Sequence, residues 1–475
     1  MSKYHSTVSR RDFMKALGLG AAGAAAIGAA APVFSDIDEL IANNNPAKKF
    51  RPWWIKNLDF NVTTSEIDWS IFKKWTPGEF SPPRDDAMTA DFAERRVKFY
   101  DDALKNNIAG STTRDRALYN STSFTYGTGG SGYAWNGVTM AYNAGLAATD
   151  QYPKWDAGPD ENFNTLRAFL LYVGVIDVGA IELDEKSQRL FNSTVNWSNT
   201  LDVGTNVTGQ GVTLPDKCKY LIVWTTQQNY LQKTFELTKD PKTGKADFPQ
   251  YVGRVSIARA YADVALSEYM CARFIQNLGG WQCYTPSVGA AINVPFGIFA
   301  GLGEQARANV LMTPRFGLAV RKTSFMITDM PLTPTPPIDF GGTVFCEKCK
   351  RCAEMCPSEA ISLKDKRDWD ITEGDRPGYV AWRMVWKNCI ATGAPSACGA
   401  CHGLCPFNHQ SEALIHAAVR MTAAKTTIFN SFFGRMDRIM GYAEPKSEKE
   451  LTNWWNRRFE NYKGDCIMGG GRFNW

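Results

Sequence analysis

Histidine is the scarcest reactive side chain in this sequence, with four in 475 residues, at positions 5, 402, 409 and 416. Residues 32–400 have none, which excludes a His-built zinc or non-haem iron site there. General-acid chemistry in that span falls to tyrosine, lysine, an arginine-assisted water or a carboxylate. Long apolar runs are missing too. No stretch reaches the ~18–20 residues of a spanning helix. The nearest, A-F-L-L-Y-V-G-V-I-D-V-G-A-I at 168–181, is interrupted by Asp177 and reads as a buried helix-to-strand unit. No Walker motif or flavin fingerprint occurs, and Gly301-Leu302-Gly303 lacks the strand before and the acid after that a dinucleotide site needs. Charge is nearly balanced. Lys3, Arg10, Arg11 and Lys15 against Asp12 give the first 31 residues +3 of the chain's +5. The remainder is too close to neutral to argue for nucleic acid or an anionic membrane surface.

What the sequence has is cysteine, concentrated. Eight of the 12 cysteines fall between Phe345 and Phe407, in two groups that each end in Cys-Pro. Cys346, Cys349, Cys352 and Cys356-Pro357 keep the C-x2-C-x2-C-x3-C-P spacing of bacterial two-cluster ferredoxins, in which the cysteine before proline serves the other cluster. The second group is looser, with Cys389 standing apart from Cys398, Cys401 and Cys405-Pro406. The spacing predicts one 4Fe–4S cluster on Cys346, Cys349, Cys352 and Cys405. A second is predicted on Cys356, Cys389, Cys398 and Cys401. Zinc ribbons use C-x2-C pairs but not this run, and a disulfide framework belongs to small secreted scaffolds. Cys218, Cys271, Cys283 and Cys466 show no ligand pattern and read as small buried hydrophobes.

The amino terminus reads Ser9-Arg10-Arg11-Asp12-Phe13-Met14-Lys15, followed by a mild Ala/Gly-rich run to Ala31. Twin arginines before a modest apolar segment predict a Tat export signal over 1–31, cleaved near Ala30 or Ala31. The competing readings are an amphipathic helix or a retained anchor. Tat passengers cross the membrane folded, which suits a protein that acquires metal clusters first. The expected location is peripheral, on the outer face of the cytoplasmic membrane.

Residues 32–161 read as an N-terminal region wrapping the core and its pocket, with an amphipathic helix over 89–107. Within it, the Gly-rich loop 110–137 carries Tyr126, Tyr133 and Trp135 as pocket or loop-packing aromatics. A core is expected over 162–342. It comprises helix then strand over 162–183, a polar insertion over 184–217, a strand over 219–226, a helix over 254–278 and a strand to Thr328. The proline-rich linker 330–337 leads to a cluster module over 343–410. Residues 411–475 are expected to return to the core. Helices alternating with strands predict an α/β fold of α+β character with an inserted ferredoxin-like domain.

The combination A-G-L-G-E-Q-A-R-A-N (300–309), P-R-F-G-L-A-V-R (314–321), F-M-I-T-D-M-P-L (325–332), a twin-arginine leader and two cysteine motifs resembles the corrinoid-dependent reductive dehalogenases. The resemblance runs from the leader to Pro406. It implies a nitroreductase-like core binding a base-off corrinoid, with no protein ligand to cobalt. The D-x-H-x-x-G loop that gives cobalt a histidine in some corrinoid proteins is absent. It also implies removal of halide from an organohalide during anaerobic respiration. The implied partners are a small membrane-anchor subunit and a respiratory electron donor, with a homodimer left open and no nucleic acid. By position, the family's proton-donating tyrosine falls on Tyr261 and its basic partner on Arg321, with Tyr269 and Arg315 as competitors. The bland readings are a core aromatic for Tyr261 and a surface or corrinoid-amide contact for Arg321. Gly301, Gly303, Arg307, Asn309 and Thr313 are the implied corrinoid contacts. Two other classes fit less of the chain. An epoxyqueuosine-reductase-like enzyme would act on tRNA, which the near-neutral charge disfavours. An exported ferredoxin-type carrier would leave some 300 residues before the clusters without a purpose.

Overall fold

The structure, a computed structural model, describes residues 51–52, 54–80, 87–112, 115, 155, 157–207, 211–236, 250–278, 281–285, 291–393, 398–408, 414–440 and 444–456. The leader, Cys466 and Tyr126, Tyr133 and Trp135 of the Gly-rich loop lie outside them. Among the described residues no helix is long and apolar enough to cross a membrane.

The centre is a four-stranded sheet. Its strands are β1 (Asp177–Glu182), β2 (Tyr220–Gln227), β3 (Cys283–Tyr284) and β4 (Val320–Thr328), in the order β1-β2-β4-β3. Every pairing is antiparallel, which places the fold on the α+β side of the expectation. β2 reads Y-L-I-V-W-T-T-Q, and residues 221–226 are all buried. Branched and aromatic side chains fit a pleated surface packed on both faces.

The two-residue period of the strands sorts those side chains into two layers. Val178, Ala180, Ile222, Trp224 and Met326 face α1 (Pro159–Tyr172) and α2 (Tyr251–Asn277), against Phe163, Leu166, Cys271 and Ile275. Ile181, Leu221, Val223, Phe325 and Ile327 face the other way, against Phe296 and Phe299 of α3 (Asn293–Phe299). The segment 184–217 is more than a polar insertion. Asp184 opens it with a reciprocal capping box on Ser187, and Val195–Ser198, Gly211–Pro215 and Thr205–Val207 form a small sheet. Leu190, Phe191, Val195 and Leu214 are buried in the second layer. Its polar composition belongs to the outer face of an element whose inner face is core.

The linker and the cysteine-rich segment are both fastened to residues upstream of them. The proline-rich linker is fastened to the core: Thr335 N–H donates to Ala180 O (2.9 Å) and its hydroxyl to Ala300 O (2.7 Å). Met330, Leu332 and Thr335 are buried. The cluster region also shares one hydrophobic core with residues upstream of it. Ala306, Ala308, Met312, Leu318, Ile338 and Phe340 pack with Phe345, Phe407 and seven of the eight motif cysteines. The C-terminal segment divides its attachments. Asn430–Ile439 lies against Gly342–Cys349 of the cluster region. Leu451 instead packs with Ala109 and with Val252 at the start of α2.

A large-to-small change in the sheet should cost far more than one at an exposed position. Phe325→Ala, in a fully packed layer, should lose about 3–5 kcal/mol. Tyr172→Ala, at a side chain 81% exposed, should change the thermal unfolding midpoint little. Equal Tm shifts for the two would contradict the two-layer core.

Candidate active site and cluster-binding region

The cysteines are carried on short helices that reverse between one cysteine and the next. α4 (Gly342–Cys349) is followed by Lys350 in the left-handed conformation, φ 54°, and then by the single turn Arg351–Glu354. The reversal turns Cys346, Cys349 and Cys352 towards one pocket. Cys405 closes it, and Met312, Leu318, Phe345 and Leu404 supply apolar walls. Met312 Sδ lies 3.8 Å from Cys405 Sγ.

In the second set, Cys389 rides on α5 (Trp386–Gly393), while Cys398 and Cys401 flank the start of the turn Ala400–Gly403. Cys356 Sγ accepts from Ala360 N–H (3.3 Å). Among the described residues no three His, Cys, Asp or Glu side chains close on a single-ion position. The first four thiols line a cavity instead.

Burial dominates the chemistry of these thiols. It pushes Cys346 and Cys401 up to about 11, and Cys349 and Cys389 up to about 12. The smaller contributions sort by tetrad. Charge on Cys346 further raises Cys349, Cys352 and Cys405. Charge on Cys401 raises Cys389 and Cys398, and charge on Cys356 raises Cys401. Cys352 also feels Cys401, which is where the two sets approach.

The glycine-rich stretch serves this region. Glu304 is fully buried and accepts from the N–H groups of Phe340 (2.6 Å) and Thr343 (2.9 Å), and at longer range from Gly342 (3.3 Å). A carboxylate there satisfies orphan donors at the start of α4 and favours the positive end of its dipole. Arg307 donates from Nε and Nη2 to Cys346 O (3.1 and 2.8 Å) and from Nη1 to Ser362 O and Lys364 O (2.7 Å each). Its guanidinium stacks 4.5 Å from the Trp382 ring centroid. The structure therefore places Arg307 in the wall of the first cysteine pocket, with every nitrogen engaged.

The other four residues matched to corrinoid contacts also have internal partners. Asn309, at φ 55°, bonds Gln305 and Tyr379. Thr313 accepts from Phe316 N–H (3.2 Å) in the P-R-F-G turn. A side chain on Gly301, at φ +68°, would collide with Pro336 O, and one on Gly303 with Met312 O. Close approach of the protein's own backbone accounts for both glycines.

Tyr261 and Arg321 meet. The guanidinium carbon lies 4.9 Å from the phenol ring centroid. Thr226 fixes their alignment, because its hydroxyl reaches the carbonyls of the neighbouring Ala260 (3.1 Å) and of Arg321 (3.0 Å). The β4–β2 register shifts between Arg321 and Thr323, and a bulge re-aims the side chain beside it. Burial alone would lower the basicity of Arg321. The neighbouring Tyr261 and Glu236 more than offset that and hold it above its usual value. The competitors lie elsewhere: Tyr269 contacts Arg273 (3.4 Å), and Arg315 lies over Phe316. Two turns of helix separate Tyr261 from Tyr269, about 12 Å.

Three further residues tie this pair to the second cysteine set. His402, next to Cys401, places Nδ1 2.6 Å from Leu318 O and 3.2 Å from Gln228 Nε2. Gln228 donates to Val320 O (2.7 Å), next to Arg321. Asn408 accepts from the N–H groups of Leu318 (2.8 Å) and Ala319 (2.9 Å). Burial, with Arg321 and Lys233 nearby, holds His402 well below the usual imidazole range, so it is neutral. No spacing rule marks these residues, because their partners are carbonyls distant in sequence.

The relatives agree with this architecture. No family model matches the chain. It is 30% identical to a chloroethene reductive dehalogenase of Dehalococcoides mccartyi (strain VS), over 98% of this chain and 99% of that protein. It is 28% identical to a trichloroethene reductive dehalogenase of D. mccartyi (strain ATCC BAA-2266 / KCTC 15142 / 195), over 95% and 97% of the two chains. Among solved structures, the catabolic reductive dehalogenase NpRdhA superposes with a TM-score of 0.56 at 19% identity, over 84% of this chain. The chain spans only 50% of that structure's length, and the likeness is one of fold. The relatives define the class, oxidoreductases acting on carbon–halogen bonds. This chain belongs to the reductive dehalogenase family.

The wall of the first cysteine pocket is held by the Arg351–Asp437 ion pair, 2.6 Å apart with both side chains 5% exposed. Asp437→Asn would leave a buried guanidinium without its counter-ion, at a cost of about 3–5 kcal/mol. The expected outcome is a clear drop in Tm, whereas breaking the exposed Lys364–Asp370 pair with Asp370→Asn should cost under ~1 kcal/mol.

Proposed function

We propose that this chain is a catalytic subunit that replaces halogen by hydrogen on a small organohalide, with chlorinated ethenes as the favoured substrate class. The reaction consumes two electrons and one proton per C–X bond and releases halide. The observation that carries the reading is the meeting of Tyr261 and Arg321 beside the turn bearing Cys401, in a chain aligned almost end to end with chloroethene dehalogenases.

Two 4Fe–4S clusters suit the two cysteine sets. Cys346, Cys349, Cys352 and Cys405 would hold one, and Cys356, Cys389, Cys398 and Cys401 the other. Support comes from the common pocket of the first four and from the way neighbouring charges sort by tetrad. We read residues 343–410 as a bacterial ferredoxin-type insertion and the central sheet with its helices as a nitroreductase-like core.

A corrinoid fits the surroundings of Tyr261 and Arg321, where buried polar atoms lack protein partners: Arg321 Nε and, beside Val320, Gln228 Oε1. A related solved structure is described as B12-dependent. When bound, a corrinoid supplies a low-valent cobalt able to reduce a carbon–halogen bond. The protein's own residues supply the proton. Tyr261 would donate from its hydroxyl to the carbon that loses halide, and the fixed charge of Arg321 would stabilise the phenolate left behind. The buried sheet and helices would exclude water, so the proton comes from a fixed donor. Residues 1–31 are proposed to direct Tat export to the outer face of the cytoplasmic membrane. There a small anchor subunit and a respiratory donor would meet the chain.

Tyr261→Phe should keep iron and corrinoid content and lose about 10²–10⁴-fold in turnover of a chloroethene with reduced viologen. Unchanged turnover would move proton donation to another group. Cys349→Ala and Cys401→Ala should each lose roughly four of about eight iron atoms per chain, from different clusters. Iron near eight with no corrinoid after reconstitution would remove the dehalogenase reading.

A further inference from the structure

Lys233 and Glu236 form an ion pair with both side chains fully buried, Nζ 2.6 Å from Oε1. They sit on the turn Tyr230–Lys233 and the 3-10 turn Thr234–Glu236. Ser256 of α2 donates to the same Oε1 (3.1 Å), and Oε2 has no hydrogen-bond partner. The reaction proposed above uses neither residue. As a stabilising device such a pair is weak, because desolvating two ions costs about what their attraction returns. A hydrophobic pair of the same volume often does as well.

Position gives the pair a role. Gly399 lies between Cys398 and the turn that carries Cys401. A side chain there would collide with Lys233 Nζ and Glu236 Oε2, and would stand 2.7 Å from Ile257 Cδ1. The charged ends therefore press on the backbone between two cysteines of the second tetrad. Glu236 also acts on Arg321, as the next charge after Tyr261 that favours the guanidinium.

We infer that Lys233 and Glu236 are positioning residues with opposed charges on the Gly399 turn, setting the reduction potential of the cluster held by Cys356, Cys389, Cys398 and Cys401. The inference rests on the two-cluster reading. Reduction adds one negative charge to the cluster. A lysine ammonium favours that state and a glutamate carboxylate disfavours it, as charge and hydrogen bonding around a cluster generally do. The pair lets the turn carry both signs where one alone would move the potential strongly.

The test uses the full-length holoenzyme and redox titration followed by electron paramagnetic resonance, reading the signal that Cys401→Ala removes. Lys233→Met should lower that midpoint and Glu236→Gln should raise it. Each shift should be about tenfold in the one-electron equilibrium, or ~59 mV. Lys233→Arg should stay near wild type. The double variant Lys233→Met/Glu236→Gln should fall between the singles, with iron retained. Shifts of the same sign, or none, in variants with full iron would overturn the inference. Loss of iron from both the double variant and Lys233→Arg would also overturn it, by making the pair purely structural. A wild-type protein lacking a second cluster signal would instead remove the two-cluster reading itself.

Discussion

Everything near the two cysteine groups hangs on a seam four residues long, from Glu304 to Arg307. Glu304 and Arg307 lie on one short segment and reach forward in opposite electrical senses. The carboxylate gathers the N–H groups of Phe340, Gly342 and Thr343, and the guanidinium gathers the carbonyls of Cys346, Ser362 and Lys364. The start of α4 is therefore held by an anion and the carbonyl at its first cysteine by a cation. Both groups are buried, so each bond forms where an unmade one would cost most. Because Ala306, Ala308 and Met312 of the same stretch enter the shared hydrophobic core, the cluster region cannot rotate as a separate body. Fixed distances between the proposed clusters and the reacting groups would need this rigidity, and a flexible linker would not supply it.

The other side of the region is held by polar contacts to the edge of the sheet. Leu318, Ala319 and Val320 offer backbone groups to His402, Asn408 and Gln228, and the next residue is Arg321. A displacement of the Cys401 turn would be felt within one residue of the guanidinium that faces Tyr261. Thr226 of β2 makes the matching connection to the helix, its hydroxyl within donating reach of the carbonyls of Ala260 and Arg321. The phenol, the guanidinium and the second cysteine set thus share one frame. Its parts are a bulged strand end, a helix and a two-cysteine turn.

What was legible in the sequence follows the range of the interactions. α2 was readable because its alanines and apolar spacing act within the helix, and β2 and β4 because branched residues mark them locally. The cysteine motif was readable because short spacings constrain where neighbouring thiols can point. The proximity of Tyr261 and Arg321 came from a family resemblance, and side-chain pattern alone left Tyr269 and Arg315 in contention. The role of Arg307 was not legible. Its partners are carbonyls 39 to 57 residues away, and a carbonyl carries no sequence signature. The same limit hid the inner face of 184–217. There polar residues outnumber the few apolar ones, yet Leu190, Phe191 and Leu214 decide where the segment packs.

The burial of the thiols bears on how the protein is made. A cysteine whose proton is held up to about 11 or 12 by burial would release it on binding a metal, so loading the proposed clusters and releasing protons would be one event. Seven of these cysteines belong to the same core as Phe345 and Phe407, so closing that core and filling the sites are also one event. Clusters added to an already closed chain would have to open the Arg307 and Glu304 seam. Insertion during folding avoids that cost. The proposed twin-arginine leader, which passes folded cargo, would suit such a chain if its work lies outside the membrane. If the proposed clusters and export hold, the burial of the thiols favours the order clusters, closed core, transport.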